Sequence, residues 1–189
     1  MHVEVLTIEQ AKAVYGKEMK RDFPSEELKP FKKIENLVLK GKYECLGLFD
    51  NSRMIACAFA VQNSDRCVLI DYLDVFATYR HKGTGSAFLK IIKERYGKYK
   101  SIIAEVESPD YYSGDARYCK EKRIDFYLKN GFEFTDYSAE MNGVHLKIME
   151  HRNEEHDLDL QAELYNLYFI LYPQSKVGTK IKAHKLSKD

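Results

Sequence analysis

The chain has 189 residues, 44% of them hydrophobic and 31% charged, with a net charge of +1 at pH 7. That length suits one domain with a sizeable core, and the balance is that of an ordinary globular protein. Nothing in the overall charge points to nucleic acid or to a membrane surface, and no apolar run approaches the ~20 residues of a membrane span.

The opening "MHVEVLTIEQ" has no basic stretch followed by an apolar one, so no secretory signal is expected. Residues 3–7 alternate as a short strand. Residues 8–20 carry Ile8, Ala11, Val14, Tyr15 and Met19 at helical spacing, and Pro24 ends that helix. Ser25 is placed to cap a second helix running to about Lys40, with Gly41 at its exit. "YECLGLFD" and "MIACAFAVQ", joined at Asn51-Ser52-Arg53, predict a β-hairpin. A turn at Asn63-Ser64-Asp65 adds "CVLIDYLDVF" as the third strand of the same meander. Next comes "YRHKGTGSAF", residues 79–88, opening a helix to about Tyr96 that Gly97 ends. "SIIAEVE" is a further strand. Residues 108–117 read as a polar, turn-rich loop, and residues 118–130 as a helix ending at Asn130-Gly131. "FEFTDYS" and "VHLKIME" are two strands around Asn142-Gly143. A charged linker over residues 151–157 leads to a last helix, "LDLQAELYNLYFILY", stopped by Pro173. The lysine-rich tail is expected to be mobile. No internal repeat is visible, and no second domain is expected. The order β, α, α, three antiparallel strands, α, β, α, β, β and an extra helix predicts an α+β fold with one parallel crossover.

The four cysteines, Cys45, Cys57, Cys67 and Cys119, form no CxxC pair, and three lie in strand-like apolar stretches. They read as reduced core thiols of a cytoplasmic protein, with no zinc or other metal site expected.

In residues 79–88, three basic or potentially basic side chains, Arg80, His81 and Lys82, run into Gly83-Thr84-Gly85. A strand, a glycine-rich turn and a helix make an anion site, because free amides and the positive helix end point at the ligand. The P-loop pattern GxxxxGK[ST] is absent. A dinucleotide fingerprint needs a third glycine where Phe88 stands, and seven residues separate Val75 from Gly83. In its favour, Glu105 lies 20 residues beyond Gly85, where a ribose-binding acid would sit.

The pattern Arg-x-x-Gly-x-Gly, entered from "YLDV" and leaving into an apolar helix, resembles the pyrophosphate loop of the GCN5-related N-acetyltransferase (GNAT) superfamily. The two N-terminal helices, the meander, "YRHKGTG", "AEVE" and "DFYLKNGF" follow that family's order over roughly residues 1–150. The resemblance implies a GNAT domain at residues 1–150. Residues 151–189 would append a C-terminal helix and basic tail to a mixed sheet of about seven strands flanked by helices. It implies acetyl-CoA, its diphosphate on the amides of Gly83, Thr84, Gly85 and Ser86, with Arg80, His81 and Lys82 supplying charge. The pantetheine arm would bond the backbone edge Leu73, Asp74 and Val75.

Acetyl transfer to an amine needs a base, a donor to the developing oxyanion and an acid for the leaving thiolate. By the family's Y-x-x-x-G-F signature the acid is Tyr127, four residues before Gly131. The candidate bases are Glu105, Glu107, Asp71 and Asp74. Glu105 matches a strand-five glutamate of the branch that acetylates ribosomal-protein N-termini. Glu105 and Glu107 share a strand face and could raise one another's pKa, or else one or both hold a cationic substrate or pair with Arg123. Lys120 stands where many members have a cofactor-contacting asparagine. Residues 108–117 and "FPSEELKPF" are expected to wall the acceptor site, with Tyr111, Tyr112 and Phe23 as its aromatic candidates. The expected activity is N-acetylation of a small-molecule or peptide amine by direct attack in a ternary complex. The protein would be a monomer or homodimer without nucleic-acid or membrane partners. The alternative is an acyl-CoA-binding sensor without turnover.

Overall fold

The computed structural model describes residues 1–63, 66–141, 143–155 and 157–172 and the backbone of 181–185. The turn residues 64, 65 and 142 and Pro173, assigned roles from the sequence, lie outside the described residues. The chain groups into two compact units, Met1–Gln62 with Ile70–Arg95, and Asn63–Leu69 with Tyr96–Asp189.

In the first unit, strand β1 (His2–Val5) leads to helix α1 (Ile8–Val14). A capping box starts α1: the Gln10 amide donates to Thr7 Oγ1 at 3.2 Å, and the Thr7 amide donates to Gln10 Oε1 at 2.8 Å. The helix continues through a π turn, Tyr15–Met19, in which the Lys20 amide reaches back to the Tyr15 carbonyl. It closes with α2 (Lys20–Asp22). The second helix, expected from Ser25, is α3 (Phe31–Leu39). Pro30 holds its N-cap at φ −52° and ψ 133°, while the Ser25 hydroxyl bonds to Glu26. Proline fixes φ and disfavours helix in the residue before it, so it overrides the serine cap. Strands β2 (Tyr43–Asp50) and β3 (Arg53–Asn63) form the expected hairpin, with Asn51 at φ 53° in its turn. The strand order is β1-β2-β3-β4, β4 being Cys67–Val75. Met19, Ile34, Leu46, Phe59 and Phe88 are fully buried, the last on α4 (Thr84–Arg95). A bidentate pair from Arg95 to Glu44 ties α4 to β2, with N···O distances of 2.7 and 2.8 Å.

In the second unit the strand order is β5 (Ser101–Glu107), β7 (Val144–Arg152), β6 (Glu133–Met141), β8 (Ile181–Lys185). β8 is a correction: these five residues of the tail expected to be mobile pair antiparallel with β6, Tyr137 opposite Lys185 and Met141 opposite Ile181. The described strands therefore number eight rather than about seven. The loop after β5 is also shorter than expected. It makes a 3-10 turn at Pro109–Tyr111, and α5 (Gly114–Lys129) begins inside the predicted loop, with Gly114 at φ 56°. His151 and Arg152, expected in a linker, belong to β7.

Helix α6 (Leu160–Leu171) buries Leu160, Leu164, Leu167, Tyr168 and Leu171, a single face at helical spacing. Asp159 caps it, accepting from the Ala162 amide at 3.1 Å. Its buried Glu163 accepts from Arg66 at 2.9 Å and from Asn63 at 2.8 Å. Among the described residues no helix is long and apolar enough to cross a membrane. The architecture is the expected α+β one, a mixed sheet flanked by helices.

Candidate active site

The residues singled out from the sequence fall into two groups, one in each unit. In the first unit, β4 ends at Val75, and a 3-10 turn over Ala77–Tyr79 delivers the chain to the glycine loop. His81 and Gly83 are both left-handed, at φ 60° and 77°. The Thr84 hydroxyl donates to the Tyr79 carbonyl at 2.9 Å, closing the loop on itself. The Ala87 amide then donates to the Gly83 carbonyl at 3.0 Å. The amides of Thr84, Gly85 and Ser86 fall in the first turn of α4, which a helix leaves without intrahelical acceptors. At Gly83 an added Cβ would meet open space, yet φ 77° strains any L side chain there. Lys82 and His81 are exposed beside the loop, and Lys82 Nζ donates to the Thr78 carbonyl at 2.8 Å. Open amides at a helix start, flanked by basic groups, fit a diphosphate.

Arg80 is held by the protein itself. Its Nε donates to the Val75 carbonyl at 2.7 Å, and its guanidinium reaches Asp22 at 2.6 Å and Asp74 at 3.3 Å. One carboxylate oxygen of Asp74, Oδ2, is buried without a hydrogen-bond partner. Burial, with the charge of Asp22 beside it, pushes the Asp74 carboxyl up to about 6 against the pull of Arg80. Along the Leu73–Asp74–Val75 edge, the Val75 carbonyl is thus taken by Arg80. The Asp71 side chain is 6% exposed, with Lys29 Nζ on Oδ1 at 2.7 Å and the Tyr43 hydroxyl donating to Oδ2. Phe23 packs edge-on to Tyr72, ring centroids 5.4 Å apart.

In the second unit Glu105 and Glu107 emerge half-buried from the same face of β5. Glu107 Oε2 lies 2.8 Å from Lys120 Nζ, and that ammonium sits over the Tyr112 ring at 5.1 Å. Partial burial works to raise the Glu107 carboxyl, but the Lys120 and Tyr112 donors outweigh it and hold Glu107 below its ordinary value. The expectation that the two glutamates raise one another fails at Glu107, whose direct partner is Lys120, with the charge of Arg123 acting in the same direction. Glu105 accepts a hydrogen bond from the Tyr168 hydroxyl of α6.

Tyr127 lies on the buried face of α5, its ring between Phe126 and Phe132, centroids 5.2 and 5.1 Å away. Its carbonyl accepts from the Asn130 and Phe132 amides, so the helix end at Gly131, φ 79°, fixes its place. Burial pushes its phenol up to about 12, with Arg123 opposing. Tyr111 is exposed and stacks on His145 at 3.8 Å. The sequence reading missed Tyr168, since its spacing marks it as core and nothing in periodicity reveals a hydroxyl's partner.

No protein-family model and no curated protein matches the chain. Solved structures do match its fold. A protein of Bacteroides thetaiotaomicron assigned to the GNAT acetyltransferase family matches with a TM-score of 0.75 at 20% identity, over 91% of this chain and 98% of that one. The ribosomal-protein-S18-alanine N-acetyltransferase of Escherichia coli matches at TM-score 0.61 and 18% identity, over 84% of this chain and 97% of that one. An aminoglycoside 6′-N-acetyltransferase complexed with coenzyme A matches at TM-score 0.59 and 11% identity, over 84% of this chain and 100% of that one. The chain has the GCN5-related N-acetyltransferase fold.

Proposed function

We propose that the chain is an acetyl-CoA-dependent N-acetyltransferase acting on a primary amine, carried by a small molecule or a peptide. The observation that carries this reading is the open start of α4 at residues 83–86 in a chain of this fold. Solved relatives of the fold add support: one is complexed with coenzyme A and another has acetyl-CoA bound.

Bound at the loop, acetyl-CoA supplies an acetyl thioester. The amides of Gly83, Thr84, Gly85 and Ser86 take the diphosphate, and His81 and Lys82 add charge. Arg80 braces the start of the loop against Asp22 and Asp74, so part of its charge is already matched. The backbone of Leu73 and Asp74 would offer the pantetheine arm its edge, and Lys120, paired with Glu107, is the cation that replaces the family's asparagine in the sequence. Glu105 accepts the proton of the amine as its nitrogen bonds to the acetyl carbon and the carbon–sulfur bond breaks. Glu107, neutralised by Lys120, is the weaker base. Tyr127 donates to the departing sulfur. Burial raises its phenol, so the group is still protonated when the thiolate leaves and is the acid placed to give it a proton, which solvent then returns to the tyrosine.

The test is an acceptor panel with acetyl-CoA, comprising an alanyl peptide, spermidine and an aminoglycoside, followed by free thiol. Turnover on at least one acceptor is expected. Tyr127→Phe should lower it ~10²–10⁴-fold, weaken coenzyme A by no more than the ~0.5–1.5 kcal/mol of one hydrogen bond, and leave the melting curve unchanged. Stabilisation by coenzyme A without thiol release on any acceptor would make the chain a binder. Stabilisation by NAD instead would restore the dinucleotide reading.

A further inference from the structure

The helix that lies beyond the region resembling the family also reaches a residue assigned to the chemistry. We propose that Tyr168 of α6 is a positioning residue for Glu105, donating a hydrogen bond that holds the carboxylate in one orientation as an anion ready to take the amine's proton. The inference rests on the assignment of Glu105 as base.

Tyr168 is fully buried, in a row with Leu164, Leu167 and Leu171. The first turn of its helix is fixed by the Asp159 cap and by Glu163 on Arg66 and Asn63. A phenol so placed cannot swing away, so the hydroxyl marks one point over β5. Burial, and then the charge of Glu105, raise that phenol well above its ordinary value. It stays protonated at working pH and can only donate, leaving the carboxylate to accept. The two glutamates of β5 thus receive different donors. Lys120 brings a full positive charge to Glu107, which cancels the carboxylate's charge and its basicity. Tyr168 brings a neutral hydroxyl to Glu105, which orients the group and leaves its negative charge in place. A carboxylate that must attract a proton from an amine needs the second arrangement.

Glu107 lies two residues away on the same face of β5 and Glu150 lies along that face of β7, Lys120 and Arg123 of α5 act on Glu107, and Tyr165 and Tyr172 of α6 act on Tyr168. Glu105→Gln, measured in parallel, shows whether a displaced pH profile reports on Glu105. Loss of a donor to a carboxylate disfavours the anion and raises its pKa. The acidic limb of kcat/KM must then move to higher pH.

The experiment compares wild type, Tyr168→Phe, Glu105→Gln and the double variant in kcat, KM and pH profile, with a melting curve on each preparation. Tyr168→Phe is expected to keep its fold and its KM for acetyl-CoA, to lose about tenfold to a hundredfold in kcat at neutral pH, and to shift the acidic limb up by about one pH unit. Because Tyr168 acts through Glu105, the double variant should be no slower than Glu105→Gln alone. If the Phe variant unfolds, 3-fluorotyrosine placed at 168 keeps the ring and makes a stronger donor, and the limb should move to lower pH. A slow Glu105→Gln enzyme beside a Tyr168→Phe enzyme of wild-type rate and profile overturns the inference and leaves the base in place. A further slowing of the double variant below Glu105→Gln also overturns it. A Glu105→Gln enzyme as fast as wild type removes the base assignment itself, and with it any role for Tyr168.

Discussion

Asp74 combines a buried oxygen that accepts no hydrogen bond with a second oxygen on Arg80, a guanidinium shared with Asp22. Its carboxyl is raised to about 6, from an ordinary 3.8. A raised acid binds its proton more tightly folded than unfolded. Its contribution to stability is therefore fully present below about pH 4 and is lost as pH rises through 6. An asparagine in its place is neutral at every pH and still offers Arg80 an acceptor oxygen. Asp74→Asn should raise the melting temperature relative to wild type more at pH 8 than at pH 4.5. Equal differences at the two pH values would mean that Asp74 is solvated as an ordinary carboxylate. The sequence placed Asp74 at the end of a strand leading to the loop, but not the company it keeps. Asp22 and Arg80 lie 58 residues apart, a separation across which helical and strand periods carry no information.

Between α2 and α3, the chain is bonded to side chains of the unit it lies on. Tyr15 donates to the Lys29 carbonyl at 2.9 Å, the Lys29 amide donates to the Tyr72 hydroxyl at 3.0 Å, and that hydroxyl donates to the Glu27 carbonyl at 2.9 Å. Lys29 and Asp71 close the set with a salt bridge whose side chains are only 8% and 6% exposed. Removing one partner of such a pair leaves the other charge buried. Lys29→Met should therefore cost about 3–5 kcal/mol, read as a lower urea midpoint, and adding Asp71→Asn should recover part of it. A Lys29→Met protein as stable as wild type would show that water reaches Asp71. Local signals named this segment a connection and misplaced its far end. Ser25 and Pro30 both mark helix starts, and choosing between them takes the knowledge that residues 27–29 are engaged elsewhere. The β2–β3 hairpin faced no such competition, because two short apolar runs meet at a turn with Asn51 at φ 53°.

Across the whole molecule the cysteines report burial directly. Burial pushes Cys45 and Cys67 up to about 12 and raises Cys57 well above its ordinary value, while Cys119 is exposed on α5. Of the four thiols, an aromatic disulfide should titrate Cys119 alone in the native protein and the other three only after denaturation. Rapid native reaction of a second thiol would contradict the packing of β2, β3 or β4. The fold as a whole was legible because order, spacing and glycine placement all pointed one way. Two features near the C-terminus were not. The alternation of Ile181 and Ala183 with basic residues signals a strand, but lysine content argues for a solvated tail, and pairing with β6 decides the matter. Tyr168 looks like one more apolar contact of an amphipathic helix. Its hydroxyl meets a carboxylate 63 residues upstream. Chains are synthesised from the N-terminus at ~5–20 residues per second, so roughly 3–13 s pass between making Glu105 and making Tyr168. A nascent chain in that interval already carries the glycine loop and, after the first seconds, Tyr127, yet its β5 glutamate has no phenol to meet. On the roles proposed for Glu105 and Tyr168, the full rate would arrive late in translation, and a product ending before Tyr168 would carry a β5 glutamate without its phenol.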